Sequence, residues 1–173
     1  MYRLILPLLC LLAACAAPAA RQSYRDAGTP IYSNAAFDVA RLQGDWVQVA
    51  GFAAQGSPTC RSGGAMFSSV TAMGQTLAAQ LCVSGQEAGF KGRIRQVAPG
   101  RLALVGADPA GIGQEWWVIW VDTDSRTLVI GTPSGDFGFI LNRGRALPAD
   151  RLAAAREILD WNGYDLTRLQ VFD

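Results

Sequence analysis

The stretch FDVARLQGDWVQVAGF, residues 37–52, decides how the chain is read. Up to Gln43 it is half polar, with a short helical turn expected at 38–42. From Asp45 onward the pattern changes to strand-like alternation. At the junction stands Gly44-Asp45-Trp46. A glycine followed by a large aromatic at the mouth of a strand suggests a tight backbone turn and then a bulky plug. By itself a tryptophan that opens a strand is ordinary core, so its meaning depends on the rest of the chain.

With 173 residues the chain is long enough for one domain with a proper core. Its 15 basic and 14 acidic residues are spread along the sequence without a basic stripe, which excludes a nucleic-acid footprint. There is no histidine, so Ser-His-Asp triads, Cys-His dyads and histidine-ligated metals are excluded together. Acidic residues form no paired arrangement. Without a nucleophile–base pair the sequence points to a binding protein rather than an enzyme, with no cofactor or metal expected.

Residues 1–14 carry one arginine and then an apolar run too short to span a bilayer, the pattern of a secretory signal. The run ends in Leu12-Ala13-Ala14-Cys15, which resembles the lipobox of bacterial lipoproteins. That resemblance implies lipidation of Cys15, and Ala16 after it lacks the aspartate of inner-membrane retention. The expected address is therefore the outer membrane, facing the periplasm, with the membrane as partner through the anchor. Ordinary cleavage at an Ala-x-Ala site between residues 13 and 20 is the competing reading. Residues 15–30, rich in Ala, Pro, Gly and polar side chains, read as a tether, and 31–173 as the folded domain. Removal of the signal leaves Cys15, Cys60 and Cys82; with Cys15 lipidated, Cys60 and Cys82 form an even pair in an oxidising compartment. A bridge between them closes a loop of about 23 residues and stabilises by roughly 3 kcal/mol; two buried thiols are the alternative.

Beyond Trp46, short apolar runs recur at 45–53, 65–71, 76–83, 89–97, 101–107, 115–122, 127–132 and 136–142, separated by turn residues. Eight runs joined by short loops predict consecutive antiparallel pairing. WWVIWV at 116–121 is apolar on both faces, which suits a barrel strand with a helix packed outside. That helix is announced by Pro148, Ala149 and Asp150, carries Leu152, Ala155, Ile158 and Leu159 on one face, and stops at Asn162-Gly163. A last strand is expected within 166–172. The fold class is all-β: an eight-stranded antiparallel up-and-down barrel with a C-terminal helix outside and a short final strand.

This order resembles the lipocalin family. The carriers of the resemblance are Gly44-Asp45-Trp46 at the first strand, Val121-Asp122-Thr123 after the sixth, and Arg143 after the eighth. WVQVAGF, EWWVIWVD, FGFILNRGRALP and WNGYDLTRLQVF are similar to bacterial outer-membrane lipocalins. The corner keeps Asp122 but has Val121 and Thr123 where the family often has Thr and Tyr. Val47-Gln48 stands where close relatives commonly have Tyr-Glu, a change of polarity inside the barrel.

The resemblance implies that Trp46 floors the closed end with Arg143 over its ring. Counting by two from these anchors places Gln48, Ala50 and Phe52, then Trp116, Val118 and Trp120, then Thr127 and Val129, then Phe137, Phe139 and Leu141 inside. Trp117, Ile119, Leu128 and Ile130 are expected outside. A packed core and a ligand cavity are equally compatible with composition; the resemblance implies a cavity for a small lipophilic ligand such as a fatty acid or lysophospholipid. Lys91, Arg93, Arg95 and Arg61 read as solvated surface charges, and no head-group site is assigned to them.

Overall fold

The computed structural model describes residues 22–54, 56, 59–107 and 111–172. The expected signal and Cys15 lie outside these residues. Among the described residues nine strands are formed: β1 (Gly44–Phe52), β2 (Gly64–Phe67), β3 (Gln75–Val83), β4 (Gln86–Ala98), β5 (Arg101–Ala107), β6 (Trp116–Val121), β7 (Thr127–Gly131), β8 (Gly138–Asn142) and β9 (Leu169–Val171), with one α-helix, α1 (Ala149–Trp161), before the last. Consecutive strands pair antiparallel from β2 to β8. β1 closes the barrel by pairing with β2 through residues 44–47 and with β8 through residues 47–51. Its end also holds β9, bonded outside the barrel along residues 50–52. The second strand is shorter than expected: Ser68 begins the return, and Thr71 and Gly74 exchange both backbone bonds in the hairpin.

Two β-bulges decide which side chains point inward. On β1, Gln48 faces Leu141 and Ala50 faces Ile140, so Val49 is an extra residue. On β6, Val118 faces Ile130 and Trp120 faces Val129, so Ile119 is extra. Each extra residue reverses the alternation beyond it. Ala50, Phe52 and Trp120, expected inside, consequently face out and pack with α1 and the closing segment. Strand β7 is corrected as well. Leu128 lies opposite Leu141, and Ile130 opposite Phe139. Directly paired residues share a face, so Leu128 and Ile130 point in, while Thr127 and Val129 point out.

The inner core contains Trp46, Phe67, Leu77, Leu81, Phe90, Ile94, Leu102, Trp116, Val118, Leu128, Ile130, Phe137, Phe139 and Leu141. A second core lies between the barrel wall and α1, where Ala155 and Leu159 meet Val129, Ile140 and Ile119. Tyr164 extends this outer core. Its ring lies over Phe52 at 5.0 Å, and its hydroxyl accepts from Thr132 N and donates to Phe137 O. The paired glycines Gly131 and Gly138 make this approach possible: a Cβ on either would come within 2.9 Å of the Tyr164 ring or hydroxyl.

The segment expected to be a tether through residue 30 is bound to the barrel from Ser23 onward. Tyr24 N donates to Gly135 O, Asp26 N to Gly163 O, and Asp165 N to Tyr24 O. Arg25 is buried and donates to the carbonyls of Asn162, Pro133 and Thr29. These bonds give backbone groups of the segment partners on the barrel's loops, which composition alone does not reveal.

Candidate functional site

The two ends of the barrel differ. At the closed end Gly44 adopts φ +100°, a conformation favouring glycine, and turns the chain into β1. Trp46 follows it inward, and its indole N–H donates to Leu42 O at 2.7 Å. The Arg143 guanidinium lies 3.8 Å from the Trp46 ring centroid. It donates to Asp45 O at 3.1 Å and Arg41 O at 2.7 Å. A planar cation on an indole face, with its edge donors on backbone carbonyls, ties the one-turn helix at Val39–Leu42 to β1 and to the end of β8.

The sixth-strand corner is also closed by hydrogen bonds. Asp122 Oδ1 accepts from Arg126 N at 2.6 Å and Thr127 N at 2.7 Å, bonds that need neither Thr nor Tyr beside it. Arg151 of α1 donates to Thr127 Oγ1 and Asn142 Oδ1 and so locks the helix onto this corner.

Gln48 does point inward, but its carboxamide is fully engaged. Nε2 donates to Cys82 O and Oε1 accepts from Cys82 N, both at 2.7 Å. Cys82 in turn forms a disulfide with Cys60. The side chain thus acts as a strand surrogate between β1 and β3, where β2 ends at Gly64.

The expected lining residues Trp116, Val118, Phe139 and Leu141 come together inside the barrel. All four are 0% exposed. Among the described residues these four side chains pack as core and leave none of their surface open to water. Trp116 and Phe139 meet edge to face at 5.2 Å. The indole N–H of Trp116 donates to Ile112 O at 2.9 Å and fixes the segment before β6 across the upper barrel.

Above this packed layer lies an open cleft of about 680 Å³ at the other end of the barrel. Its apolar side is made by Val83, Ala88, Ile112 and Phe137, and its polar rim by Ser84, Gln86, Glu87, Gln114 and Asp136, with Gln22 and Tyr24 from the bound N-terminal segment. Gln114 donates to Asp136 and accepts from Ser134. Tyr24 is 1% exposed; its hydroxyl is buried without a hydrogen-bond partner among the described residues. Both charged side chains in this described lining are carboxylates, Glu87 and Asp136. Lys91, Arg93 and Arg95 are far from it in orientation, exposed on the outer face of β4, and Arg61 lies beside Arg145 and Phe172 against the outside of β1.

Of the expected ligand-contacting residues, only Phe137 borders this cleft. Sequence reasoning missed Tyr24, Glu87, Gln114 and Asp136 there. Tyr24 fell in a stretch of tether-like composition, and the others sit in loops or strand ends where alternation carries no signal.

The lipocalin-like domain family matches residues 37–173. The chain belongs to the lipocalin-like family. Solved structures agree on the fold of this lipocalin-like chain. Insecticyanin from the tobacco hornworm Manduca sexta is similar over 84% of this chain and 85% of its own, with a TM-score of 0.61 and 13% identity. Apocrustacyanin C2 is similar over 77% of each chain, with a TM-score of 0.55 and 13% identity. At such identities the likeness shows the fold alone. No curated protein matches this lipocalin-like chain significantly by sequence. Among the described residues no group of three or more His, Cys, Asp or Glu is placed to hold a metal ion.

Proposed function

We propose that this lipocalin-like protein binds and carries a small amphiphilic lipid at its open end. The observation that carries this reading is the cleft itself: an apolar floor and a polar rim over a filled barrel. Its volume of about 680 Å³ lies in the range of small-molecule sites. An acyl chain rests on Val83, Ala88, Ile112 and Phe137, while a polar head meets the rim. Glu87, exposed at the rim, repels a carboxylate head, which favours a lysophospholipid with a zwitterionic head group over a free fatty acid. The protein is proposed to act while anchored through lipidated Cys15 to the outer membrane, facing the periplasm.

Titrating the protein with a lysophospholipid while following tryptophan emission tests the binding reading; saturable change at micromolar ligand is expected, and a flat response from folded protein contradicts it. Mass analysis of the mature N-terminus tests the anchor separately. A diacylated or triacylated cysteine is expected there, and an unmodified first residue refutes it.

One observation favours a second reading, a structural lipoprotein whose barrel holds no ligand: the 0% exposure of Trp116, Val118, Phe139 and Leu141. The same titration separates the two, because the cleft binds on the first reading and nothing binds on the second.

A further inference from the structure

The outer wall of the barrel is used very unequally. Helix α1 and the Tyr164 segment cover β6, β7, β8 and part of β1. No described element packs over the outward side chains of β2 to β5, and their pattern is not that of an ordinary wet face.

Pairing fixes the rungs of this wall. Met66 lies opposite Ala78, and Ala78 opposite Lys91. Thr76 lies opposite Arg93, and Arg93 opposite Val105; Arg95 lies opposite Ala103. Lys91, Arg93 and Arg95 therefore form a straight row of three exposed cations on one face of β4, about 14 Å from first to last. Their cross-strand neighbours are small or uncharged, so no carboxylate pairs with them across the sheet. Glu87 is the one acidic residue in β2–β5, and it stands at the mouth end of β4.

Apolar side chains surround the same row. Eight large apolar side chains are exposed among the described residues; three of them, Met66, Val97 and Val105, are on β2, β4 and β5, and two more, Val70 and Met73, are in the hairpin between β2 and β3. A groove between β2, β3 and β4 is bordered by Met66, Thr76, Ala78, Lys91 and Arg93. Exposed aliphatic and thioether groups mixed with long cationic side chains and no opposing acids are the chemistry of an anionic lipid interface. The apolar groups enter the head-group layer, and the cations reach the phosphates.

We propose that the outer face of β2–β5 is a membrane contact, in which Lys91, Arg93 and Arg95 hold an anionic phospholipid surface while Met66, Met73 and Val105 enter it. This inference does not rest on cargo binding or on Cys15. It lays the barrel's side on the bilayer and leaves the open end at the membrane's edge, available to lipid.

The test is co-sedimentation with vesicles of phosphatidylcholine containing increasing phosphatidylglycerol. It uses the full chain with Cys15→Ser, so that no acyl anchor contributes, and compares proteins sharing that N-terminus. Partitioning is expected to rise with the phosphatidylglycerol fraction and to fall with added salt. The Lys91→Gln/Arg93→Gln/Arg95→Gln variant is expected to lose on the order of a hundredfold in partitioning, at about 1 kcal/mol per basic residue near such a surface. Met66→Ser/Met73→Ser is expected to weaken binding while keeping its salt dependence. All substituted positions are exposed, and thermal unfolding checks that the variants fold. Equal partitioning of the triple variant and its parent, or equal binding to pure phosphatidylcholine, overturns the proposal. So does binding to an acidic protein in place of the vesicles.

Discussion

The Gln48 carboxamide pairs with the backbone of Cys82 through two hydrogen bonds of 2.7 Å, one to each of its polar groups. The side chain thus replaces a missing piece of β-ladder, at the residue that also carries the disulfide. Gln48→Ala leaves a buried N–H and a buried carbonyl without partners, at about 1–3 kcal/mol each. Denaturant unfolding is expected to show a lower midpoint with an unchanged slope. Gln48→Glu is expected to restore only part of the loss, because a carboxylate cannot donate to Cys82 O. An Ala variant as stable as the parent contradicts the surrogate-strand account.

Arg143 joins three elements at the closed end through two carbonyls and the Trp46 ring. Arg143→Ala is expected to cost about 2 kcal/mol, the sum of modest hydrogen-bond and cation–π contributions. Arg143→Lys should recover less than half, since an ammonium has no planar fork to donate to both carbonyls while stacked. Thermal unfolding of the pair measures this. Ligand affinity is expected to stay near parental in both, because the cleft lies at the opposite end.

Two aromatics expected inside the barrel have different surroundings. Trp120 faces the outer core and Phe137 borders the cleft. Trp120→Ala is expected to lower stability, as truncation of a large packed aromatic does, while leaving amphiphile affinity within twofold. Phe137→Ala is expected to weaken binding at least fivefold, having removed part of the floor. Fluorescence titration of both variants under conditions where each is folded checks the assignment; the opposite ranking contradicts it.

Burial raises the pKa of Tyr164 above its usual value near 10. A phenol whose folded pKa is raised keeps its stabilising effect below about pH 10, where both states are protonated, and loses it as the pH climbs toward the folded pKa. Stability is therefore expected to fall above about pH 10. Tyr164→Phe is expected to be roughly 1 kcal/mol less stable at neutral pH, having lost its bonds with Thr132 and Phe137, yet to show a shallower alkaline decline. Denaturant midpoints from pH 7 to 11 check both halves.

Much of the architecture was legible because antiparallel barrels announce themselves locally. Turn residues separate the strands, and α1 carries its own start and stop signals. The floor was legible because Gly44, Trp46 and Arg143 are few, large and fixed in order. The lining was not. Alternation counts residues, and a bulge adds one without a mark in composition, so counting by two puts Ala50, Phe52 and Trp120 on the wrong face, whereas Trp116, Val118, Phe137 and Phe139 do point inward. On β7 the strand is apolar on both faces, and only pairing with β8 fixes which set is inside. Gln48 was placed correctly but its bonds were invisible, since they join residues 34 apart in sequence. The rim of the cleft was missed because it is built by loops and by Tyr24, whose position depends on contacts with the barrel.

On the proposed function the open end selects an amphiphile by its head. Single-chain amphiphiles of equal chain length, one a fatty acid and one a lysophosphatidylcholine, are titrated into the parent and into Glu87→Gln at neutral pH, with tryptophan emission as the readout. The account predicts saturable binding of the lysophospholipid, fatty-acid binding at least tenfold weaker, and a narrower gap in Glu87→Gln. Equal or tighter binding of the fatty acid to the parent would contradict the head-group selection, and binding of neither would contradict the carrier reading itself.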